Sequence, residues 1–571
     1  MDIALGLKII NMVYKMITSR YSEIPDNFSN SKPEFIAAKR HEDLKLYRQH
    51  SLNDRVIDDF IYQLKHDNRV NLAGLGIMYK GRMIREEYVY PYSSYYRHVS
   101  FSVSKSIVSM AVGIAISKNI ISLDDRLVDF FPEYNNMFIK RDMRVVTIKH
   151  LLTMTAGALF DEISAFFSED WSMSYIEGDV MYEPGSDFSY NSLNTYMLVS
   201  AICRKAKTSL KEFLETNLFN PLNIYDITWD LSPEETEQGG WGVKLSILDM
   251  LKLGQLYLNK GKWIVDGKET SIIDADWIEE SIKIHVDLSD KEVILGYGYH
   301  IWLLKDGAYL FNGLFGQNIY INPEKEIVIA ITASAYEVFP GGGLVSKICN
   351  FVEDDGLYDN SFITNIRNLF KKSGYELIKR EKIRYDEEIF FNVLSEYFDN
   401  KYIFDEYAAS ILPIAIQGFY SMFSTGIKSL VLKKIDNQLW MIVEENNIEY
   451  SIHLGILNEK YEYQVITING KEIPVAAYCD FAFDEDDRFL LKIKLIYLEE
   501  VGSRVFKLFF DDNFVTLKAA ENPDLKEFTG ILFGESKIRR TKNLKKIKTP
   551  DYLDYKINKI ISPISKGEII S

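Results

Sequence analysis

Cysteine is scarce in this 571-residue sequence, and its three cysteines, Cys203, Cys349 and Cys479, lie far apart along the chain. A disulfide framework or a zinc knuckle would need cysteines or histidines at short, regular spacings, which the sequence does not have. A Gly-rich phosphate-binding loop is missing as well. The sequence therefore predicts that the protein binds neither a metal ion nor a cofactor.

Basic residues are also fewer than acidic ones. The sequence has 66 lysines and arginines and 82 aspartates and glutamates, which gives a formal net charge of −16. Such an acidic chain repels phosphate groups, so we expect no nucleic-acid partner. We expect a small molecule as the ligand instead, and the sequence leaves the oligomeric state open.

No apolar run in the sequence is long enough to cross a bilayer. At the N-terminus, residues 1–17 are apolar but are interrupted by Asp2, Lys8 and Lys15. This pattern favours an amphipathic helix over a signal peptide, which would need a basic leader and a small-residue cleavage site. We therefore expect a cytoplasmic protein without a membrane span.

Composition and length indicate more than one globular domain. The chain is 47% hydrophobic and 26% charged, as in ordinary globular proteins, and it is too long for a single core. From Ile427 onward, strand-like runs recur roughly every ten residues between Asp-Asn, Asn-Gly and Asp-Asp turns, which predicts an antiparallel barrel or sandwich. The predicted division is a partly helical leader (1–50), a first domain (51–355), a linker with a helix (356–400), a β-rich domain (401–535) and a basic tail (536–571).

Within residues 51–355, helical and strand-like patterns follow one another. An α+β fold, with an antiparallel sheet and helices packed on it, is the simplest architecture that explains them. The predicted helices are 54–64, 121–132, 147–157, 193–205 and 245–259, and the predicted strands are 72–79, 83–90, 295–304, 308–312, 317–322 and 326–333.

The most informative stretch is Phe101-Ser-Val-Ser-Lys-Ser, which leads into an apolar run at residues 107–116. Because that run is apolar on every side, we expect it to form a central core helix. Ser102 and Lys105 are three residues apart and therefore share one face of that helix. A buried lysine with a lowered pKa can take the proton of a neighbouring hydroxyl, which turns serine into a nucleophile. A second Ser-x-x-Lys match at residues 29–32 precedes a proline, which disfavours a helix there.

Tyr190 lies just before a predicted helix, where a phenol can point into a cleft. Asn191 and Ser192, which follow it, have two open interpretations, either as residues of a site or as caps of that helix. Gly313 likewise belongs either to a site or to ordinary strand–turn geometry. His150 is interpreted as a structural histidine rather than as a base.

Four motifs occur in the order that is found in serine β-lactamase-like, penicillin-binding-protein-like hydrolases. They are Ser102-Val-Ser-Lys105, the segment 147–157, Pro184-Gly185 with Tyr190-Asn-Ser192, and Gly313-Leu-Phe-Gly-Gln317 through Asn322-Pro323. Roughly residues 51–355 therefore resemble the family that includes class C β-lactamases, D-Ala-D-Ala carboxypeptidases, family VIII esterases and 6-aminohexanoate-dimer hydrolases. The Gly-x-x-Gly-Gln form of the last motif is similar to the aminohexanoate hydrolase and esterase branch.

The resemblance implies a β-lactamase-like fold and assigns roles to the matching residues. Ser102 would be acylated, and Lys105 and Tyr190 would share the transfer of its proton. The backbone N–H groups of Ser102 and Leu314 would hold the oxyanion.

Two positions depart from the family pattern. Ser192, next to Asn191, stands where many members have asparagine, and Phe311-Asn312-Gly313 stands where β-lactamases have Lys-Thr-Gly or a near variant. In the family the lysine and threonine help to bind the carboxylate of β-lactams, which a phenyl ring cannot do. We therefore expect Phe311 to form an apolar wall beside Asn312 and Gly313 in the substrate-binding segment. Neutral esters or amides would then be preferred over penicillins.

The function that we predict is the hydrolysis of an ester or amide through an acyl-enzyme at Ser102. The alternative is a catalytically silent ligand-binding or sensor protein that retains the fold, and the departure at Phe311 leaves room for it. The β-rich domain shows no catalytic constellation in its sequence. The basic stretch from Lys537 is either a solvated tail or a docking site for an acidic surface.

Overall fold

The computed structural model of the protein describes residues 35–39, 41–134, 139–165, 168–336, 340, 343–358, 387–404, 409–420, 422, 424–456, 460–483, 489–511, 513–523 and 563–569. The predicted amphipathic helix at 1–17, the second Ser-x-x-Lys match and the basic stretch from Lys537 lie outside these residues. The chain divides into two compact units: the first comprises residues 29–31 and 36–378, and the second comprises 1–28, 32–35 and 379–571. Of the helices in the described ranges, none has the length and apolar character required to cross a membrane.

The first unit combines helices and strands. Its α-helices are α1 (Asp54–His66), α2 (Val103–Ser117), α3 (Ile148–Leu152), α4 (Glu162–Ala165), α5 (Trp171–Glu177), α6 (Ser192–Ala206), α7 (Leu210–Leu214), α8 (Ile247–Leu258), α9 (Ala275–Ser281), α10 (Gly343–Val352) and α11 (Asp355–Tyr358). Its strands are β1 (Leu72–Tyr79), β2 (Arg82–Tyr88), β3 (His98–Val99), β4 (Thr228–Trp229), β5 (Val243–Leu245), β6 (Lys262–Val265), β7 (Lys268–Ser271), β8 (Val286–Asp287), β9 (Ile294–Tyr297), β10 (Trp302–Leu304), β11 (Tyr309–Gly313), β12 (Gln317–Asn322) and β13 (Ile327–Ala333).

Among the described strands, eight form an antiparallel sheet in the order β2-β1-β13-β12-β11-β10-β9-β8. Alternate residues of a strand face opposite sides, so Leu75 of β1 joins the core with α1 and α10 on one face. On the other face Gly76 admits α8, because a Cβ atom there would lie 2.7 Å from side-chain atoms of Ile247 and Leu251. Helices therefore cover both faces of the sheet, and the predicted α+β, β-lactamase-like architecture is confirmed.

Helix α2 is buried on all sides, since every residue from Val103 to Ala115 is buried. The short strand β3 leads into it and pairs with β5, and Ser100 N–H donates to Val243 O at 2.8 Å. The expected central helix after Ser102 is therefore confirmed. The predicted helices at 54–64, 193–205 and 245–259 correspond to α1, α6 and α8.

The helix predicted at 121–132 is wrong, because only a 3-10 turn, Leu127–Phe130, forms there. The Ser122 N–H donates to the Asp125 carboxylate at 2.8 Å, and the Leu127 N–H donates to Val146 O at 2.8 Å. Backbone N–H groups that would donate to backbone carbonyl groups within a helix therefore donate to a side chain and to a distant segment instead.

The single strand predicted at 295–304 is also wrong, since it is a hairpin of β9 and β10. His300 lies in the turn with φ of 58°, in the left-handed region where the chain can reverse direction. The helix predicted at 147–157 is shorter than expected and ends at Leu152. Its continuation is prevented by Met154, whose φ is 58°.

The second unit contains helices α12 (Glu387–Leu394) and α13 (Ile414–Phe419). Its strands are β14 (Tyr402–Phe404), β15 (Ile427–Ile435), β16 (Gln438–Glu445), β17 (Ile448–Ile456), β18 (Glu462–Ile468), β19 (Lys471–Phe483), β20 (Phe489–Tyr497), β21 (Ser503–Asp511), β22 (Phe514–Asn522) and β23 (Ile564–Ile569). They are hydrogen-bonded in the order β17-β16-β15-β14-β23-β22-β21-β20-β19-β18. β17 also pairs with β19, so nine of the described strands close into a barrel. Of the two predicted architectures, barrel and sandwich, the barrel is the one observed.

Two strands of the barrel were not predicted from the sequence. β14 has three residues, too few for a periodicity to be seen, and β23 lies inside the segment predicted as a basic tail (536–571). β23 pairs with β14 on one side and with β22 on the other, so distant segments stabilise it. The predicted end of the β-rich domain at residue 535 therefore leaves out one strand, while the other boundaries stay predictions.

Candidate active site

Ser102 and Lys105 lie together at the buried start of α2. Ser102 is the N-cap residue, but its side chain makes no capping hydrogen bond. Instead, Lys105 Nζ lies 2.7 Å from Ser102 Oγ. The lysine is 1% exposed, so neither a simple helix cap nor a solvated lysine describes this pair.

The Lys105 amine is held by a second contact, because Nζ also donates to Gly240 O at 2.7 Å. Burial lowers the pKa of Lys105 to about 7, and the nearby Glu162 carboxylate opposes part of that shift. A substantial fraction of the amine is therefore uncharged near neutral pH and able to accept a proton.

Tyr190 completes the arrangement around Ser102. A hydrogen bond joins its phenol to the Ser102 hydroxyl, and Lys105 Nζ lies 4.8 Å from the centroid of its ring. Burial raises the pKa of the Tyr190 phenol above its ordinary value, and Glu162 adds to the shift. The phenol is thus neutral where the lysine is partly deprotonated, which makes Lys105 the stronger candidate for the base.

The end of β11 lies directly against the turn that precedes α2. A Cβ atom on Gly313 would lie 2.3 Å from Ser100 O, so only glycine permits this approach. The rings of Phe101 and Phe315 pack edge to face with centroids 5.7 Å apart, and both residues have positive φ. This contact holds the Leu314 segment beside Ser102, the arrangement that an oxyanion hole made of their two N–H groups needs.

Asn191 and Ser192 lie at the start of α6, directly after Tyr190. Asn191 Oδ1 accepts the Leu193 N–H at 2.8 Å as the N-cap of α6, so the cap is one of its uses. Its amide nitrogen donates to the carbonyl groups of Ala158 and Phe160 at 3.2 and 2.9 Å. Asn191 therefore fixes the loop before α6. The Ser192 side chain is buried, and its backbone N–H donates to Glu162 Oε1 at 2.8 Å.

Phe311 does not form the apolar substrate wall that the sequence suggested. Its side chain is 0% exposed and packs edge to face on Tyr257 of α8, with ring centroids 5.0 Å apart. Successive residues of β11 face opposite sides of the sheet, and Phe311 lies on the side that packs on α8. The sequence of the strand did not reveal which of its two sides would face the helices. The neighbouring Asn312 is half-buried and donates to Asn318 Oδ1 at 2.8 Å.

Residues 57–340 match the family model described as Beta-lactamase. This part of the chain belongs to the beta-lactamase family. The family consists of serine hydrolases, among them esterases as well as β-lactamases.

Known proteins similar to this beta-lactamase-family member include a curated "Beta-lactamase" of Escherichia coli (strain K12). It is 24% identical over 200 residues, which are 34% of this chain, and the chain spans half the length of that relative. Similar solved structures include a putative 6-aminohexanoate-dimer hydrolase from Bacillus anthracis (18% identity, TM-score 0.43, 64% of this chain and 95% of that one). Another is a family VIII carboxylesterase (15% identity, TM-score 0.44, 55% of this chain and 98% of that one).

Sequence reasoning missed three contributors to this beta-lactamase-family site. Glu162 begins the short helix α4, which no sequence motif marks, and Gly240 was visible only as a turn-forming Gly-Gly pair. Tyr297 packs edge to face on Tyr190 at 6.3 Å between centroids, and its signal was the aromatic character of the 295–304 segment. The fold brings each of these residues to the site from a different segment, so no motif spacing in the sequence identifies them.

His150 has the structural role that was predicted for it. Its ring nitrogen Nδ1 accepts the Thr147 N–H at 3.1 Å, and the Thr147 hydroxyl accepts the His150 N–H in return. This reciprocal capping box fixes the start of α3.

Proposed function

We propose that the first unit hydrolyses an ester or amide bond through an acyl-enzyme at Ser102. The observation that carries the proposal is the 2.7 Å contact between Lys105 Nζ and Ser102 Oγ, with burial holding the pKa of the lysine at about 7. A serine hydroxyl next to a partly uncharged amine is an activated nucleophile.

In the proposed acylation step, Ser102 Oγ attacks the carbonyl carbon of the substrate and its proton passes to Lys105. The negative charge that develops on the carbonyl oxygen is stabilised by the N–H groups of Ser102 and Leu314. Lys105 then returns the proton through the Tyr190 phenol to the leaving alcohol or amine, and the bond to the leaving group breaks.

In the proposed deacylation step, a water molecule attacks the carbonyl carbon of the acyl-enzyme. Lys105 and Tyr190 take one of its protons, the bond to Ser102 Oγ breaks, and that oxygen recovers a proton. The carboxylic acid leaves and the free enzyme is restored. The Gly240 carbonyl keeps the amine in place through both steps, because it accepts one of its N–H bonds at 2.7 Å.

Two measurements on the full chain test the proposal. A fluorophosphonate probe should label Ser102, and a short neutral p-nitrophenyl ester should be hydrolysed over many turnovers. Ser102→Ala should lose both, whereas Ser117→Ala, at the exposed far end of the same helix, should keep both. A burst of p-nitrophenol equal to the enzyme concentration without further turnover would instead identify a covalent ligand trap.

A further inference from the structure

Three exposed lysines lie directly opposite one another on the outer face of the barrel in the second unit. Lys492 of β20 is paired in register with Lys507 of β21, and Lys507 is paired with Lys518 of β22. In each strand the residues before and after the lysine are buried in the core of the barrel. The three side chains, called the lysine row below, therefore project to the same side from strands about 4.8 Å apart.

Carboxylates on the same face form no ion pair with the lysine row in the parts of the chain that the structure describes. Asp480 is paired in register with Lys492, but its Oδ1 accepts the Phe481 N–H at 2.8 Å. Asp511 and Glu568 lie near the ends of their strands, four residues along from the row, which is about 13 Å. The positive charges of the row are therefore not neutralised by an adjacent carboxylate.

Other exposed lysines of this acidic chain do have carboxylate partners. Three of them belong to the first unit, and their ion pairs are Lys260–Glu279 at 3.1 Å, Lys262–Glu269 at 2.9 Å and Lys283–Glu280 at 2.6 Å. The lysine row differs from them, although like charges directly opposite each other in neighbouring strands destabilise a sheet. Because the row is unfavourable for folding by itself, we looked for an anionic partner that would explain it.

Apolar side chains accompany the lysine row. Lys518 Nζ lies 4.9 Å from the ring centroid of Phe509, and Lys566 Nζ of β23 lies 3.7 Å from that of Phe514. Both rings are half-buried under these ammonium groups, which they hold at the surface through cation–π contacts. Ile564, paired in register with Lys518, is 63% exposed. The row therefore ends at an apolar side chain that projects in the same direction.

We propose that this face of the barrel binds the surface of an anionic lipid bilayer. Ammonium groups are compact, hydrated point charges, and a layer of lipid phosphates attracts them without requiring a fixed geometry. Ile564 adds an apolar side chain that can enter the boundary between headgroups and acyl chains. The net charge of −16 does not prevent this contact, because charges more than about 8 Å away are largely screened at physiological ionic strength.

Three other anionic partners fit this face less well. A single-stranded nucleic acid would stack its bases on exposed rings, whereas Phe509 and Phe514 are covered by ammonium groups. A second copy of the chain, related by a two-fold axis through this face, would place the lysine row next to the same row of its partner. An acidic peptide is bound most specifically by forked arginine contacts, and the row contains no arginine.

Co-sedimentation of the full chain with lipid vesicles tests the proposal. Vesicles of phosphatidylglycerol and phosphatidylcholine in equal parts should bind the protein at low salt, and the binding should weaken as salt is added. Vesicles of phosphatidylcholine alone should bind it only at the background level. The triple variant Lys492→Gln, Lys507→Gln and Lys518→Gln should have a partition coefficient about a hundredfold lower, since each lysine near such a surface contributes about fivefold.

The matched control replaces Lys260, Lys262 and Lys283 by glutamine, which changes the net charge equally and should leave the partition coefficient nearly unchanged. Ile564→Ser should lower binding to the anionic vesicles about threefold or more, because an apolar side chain no longer enters the bilayer. The unfolding midpoint of the row variant should equal or exceed that of the wild-type protein, because the like-charge pairs are gone. Its loss of binding would then not come from misfolding.

Equal binding of the wild-type protein and the row variant to anionic vesicles would overturn the proposal, as would the absence of binding at low salt. Row-dependent binding of an oligonucleotide or of inorganic phosphate without binding of vesicles would assign the row to a soluble anion and overturn it as well. The proposal does not rest on the hydrolysis proposed for the first unit. Turnover of a soluble p-nitrophenyl ester should be the same in the row variant, so the two proposals fail separately.

Discussion

The indole ring of Trp302 stacks on the phenol ring of Tyr190, with 5.7 Å between the ring centroids and 24° between the ring planes. Tyr297 packs on both rings from the side, at 4.8 Å from Trp302 and 6.3 Å from Tyr190. Trp302 therefore limits the orientations in which the phenol can reach Ser102. Strand β10 thus takes part in the site without supplying a group to the chemistry.

This stacking predicts a positioning role for Trp302. Trp302→Leu keeps an apolar side chain but removes the flat surface, so the Tyr190 ring should rotate more freely and kcat should fall by roughly tenfold to a hundredfold. Trp302→Phe should restore most of the rate, because it restores a ring. If the loss in Trp302→Leu came only from lower stability, the phenylalanine variant and Trp302→Leu would have equal kcat at a temperature where both are folded.

Lys105 and Tyr190 should act as one unit in proton transfer. We expect Lys105→Ala and Tyr190→Phe each to lower kcat by about a hundredfold or more, the usual loss for a general base or acid. The double variant should lose little beyond either single variant, because each change already interrupts the same proton path. Steady-state kinetics on a neutral p-nitrophenyl ester measure this, and additive losses would show that the two residues act separately.

The pH dependence follows from the buried lysine. Burial lowers the pKa of Lys105 to about 7, and only the uncharged amine can accept the Ser102 proton. We therefore expect kcat/KM to rise with pH up to about 7 and to level off above it. Because burial raises the pKa of Tyr190, that phenol should add no falling limb at moderately alkaline pH. Lys105→Arg should be inactive throughout, since a guanidinium group stays charged. Activity that is independent of pH between about 5 and 8 would contradict the assignment.

Gly313 should be required for the oxyanion hole. A methyl group there would meet Ser100 O at 2.3 Å, so Gly313→Ala must push β11 away from the Ser102 turn. The Leu314 N–H would then move out of reach of the oxyanion, and kcat should fall by about a hundredfold to a thousandfold with a smaller change in KM. Gly418→Ala is the matched control, because open space surrounds its Cβ position. An unchanged kcat in Gly313→Ala would exclude Leu314 from the oxyanion hole.

The second unit depends on a buried ion pair. Arg504 Nη1 donates to Glu521 Oε2 at 2.7 Å, and the two side chains are 1% and 2% exposed. Arg504→Met leaves the buried Glu521 carboxylate without its cationic partner and should cost about 3–5 kcal/mol. Lys428→Met, which removes a partner of the more exposed Glu444, should cost less than about 1 kcal/mol.

Trp440 offers a readout for this comparison, because it is the one tryptophan in residues 379–571. The full chain is unfolded in denaturant while its tryptophan fluorescence is recorded, and the signal of the same protein carrying Trp440→Phe is subtracted. The remaining change reports on Trp440 and gives the midpoints of unfolding for Arg504→Met and Lys428→Met. Replacing both charged partners, as in Arg504→Met with Glu521→Leu, should recover much of the loss. Equal midpoints for Arg504→Met and Lys428→Met would show that burial of the pair contributes nothing.

Sequence alone was sufficient for the parts of the site that depend on local spacing. Ser102 and Lys105 are three residues apart on a helix that is apolar all round, so their contact follows from helical geometry. The Tyr190 segment and the antiparallel strands of the second unit were likewise visible, because turn residues and strand periodicity repeat over short distances. These features need only a few consecutive residues to be specified.

Tertiary structure decided which side of an element faces the site and which distant segments meet there. Phe311 was expected at a substrate wall, but the packing of β11 on α8 turns it into the core. Gly240, which accepts the Lys105 amine, and Glu162, which begins α4 and raises the pKa of Lys105, come from segments far along the chain. The barrel closes through the pairing of β17 with β19, and β23 joins it from the distant C-terminal segment. Such contacts form because folding buries apolar surface across long sequence separations, and a periodicity of two or 3.6 residues carries no information about the partner that it meets.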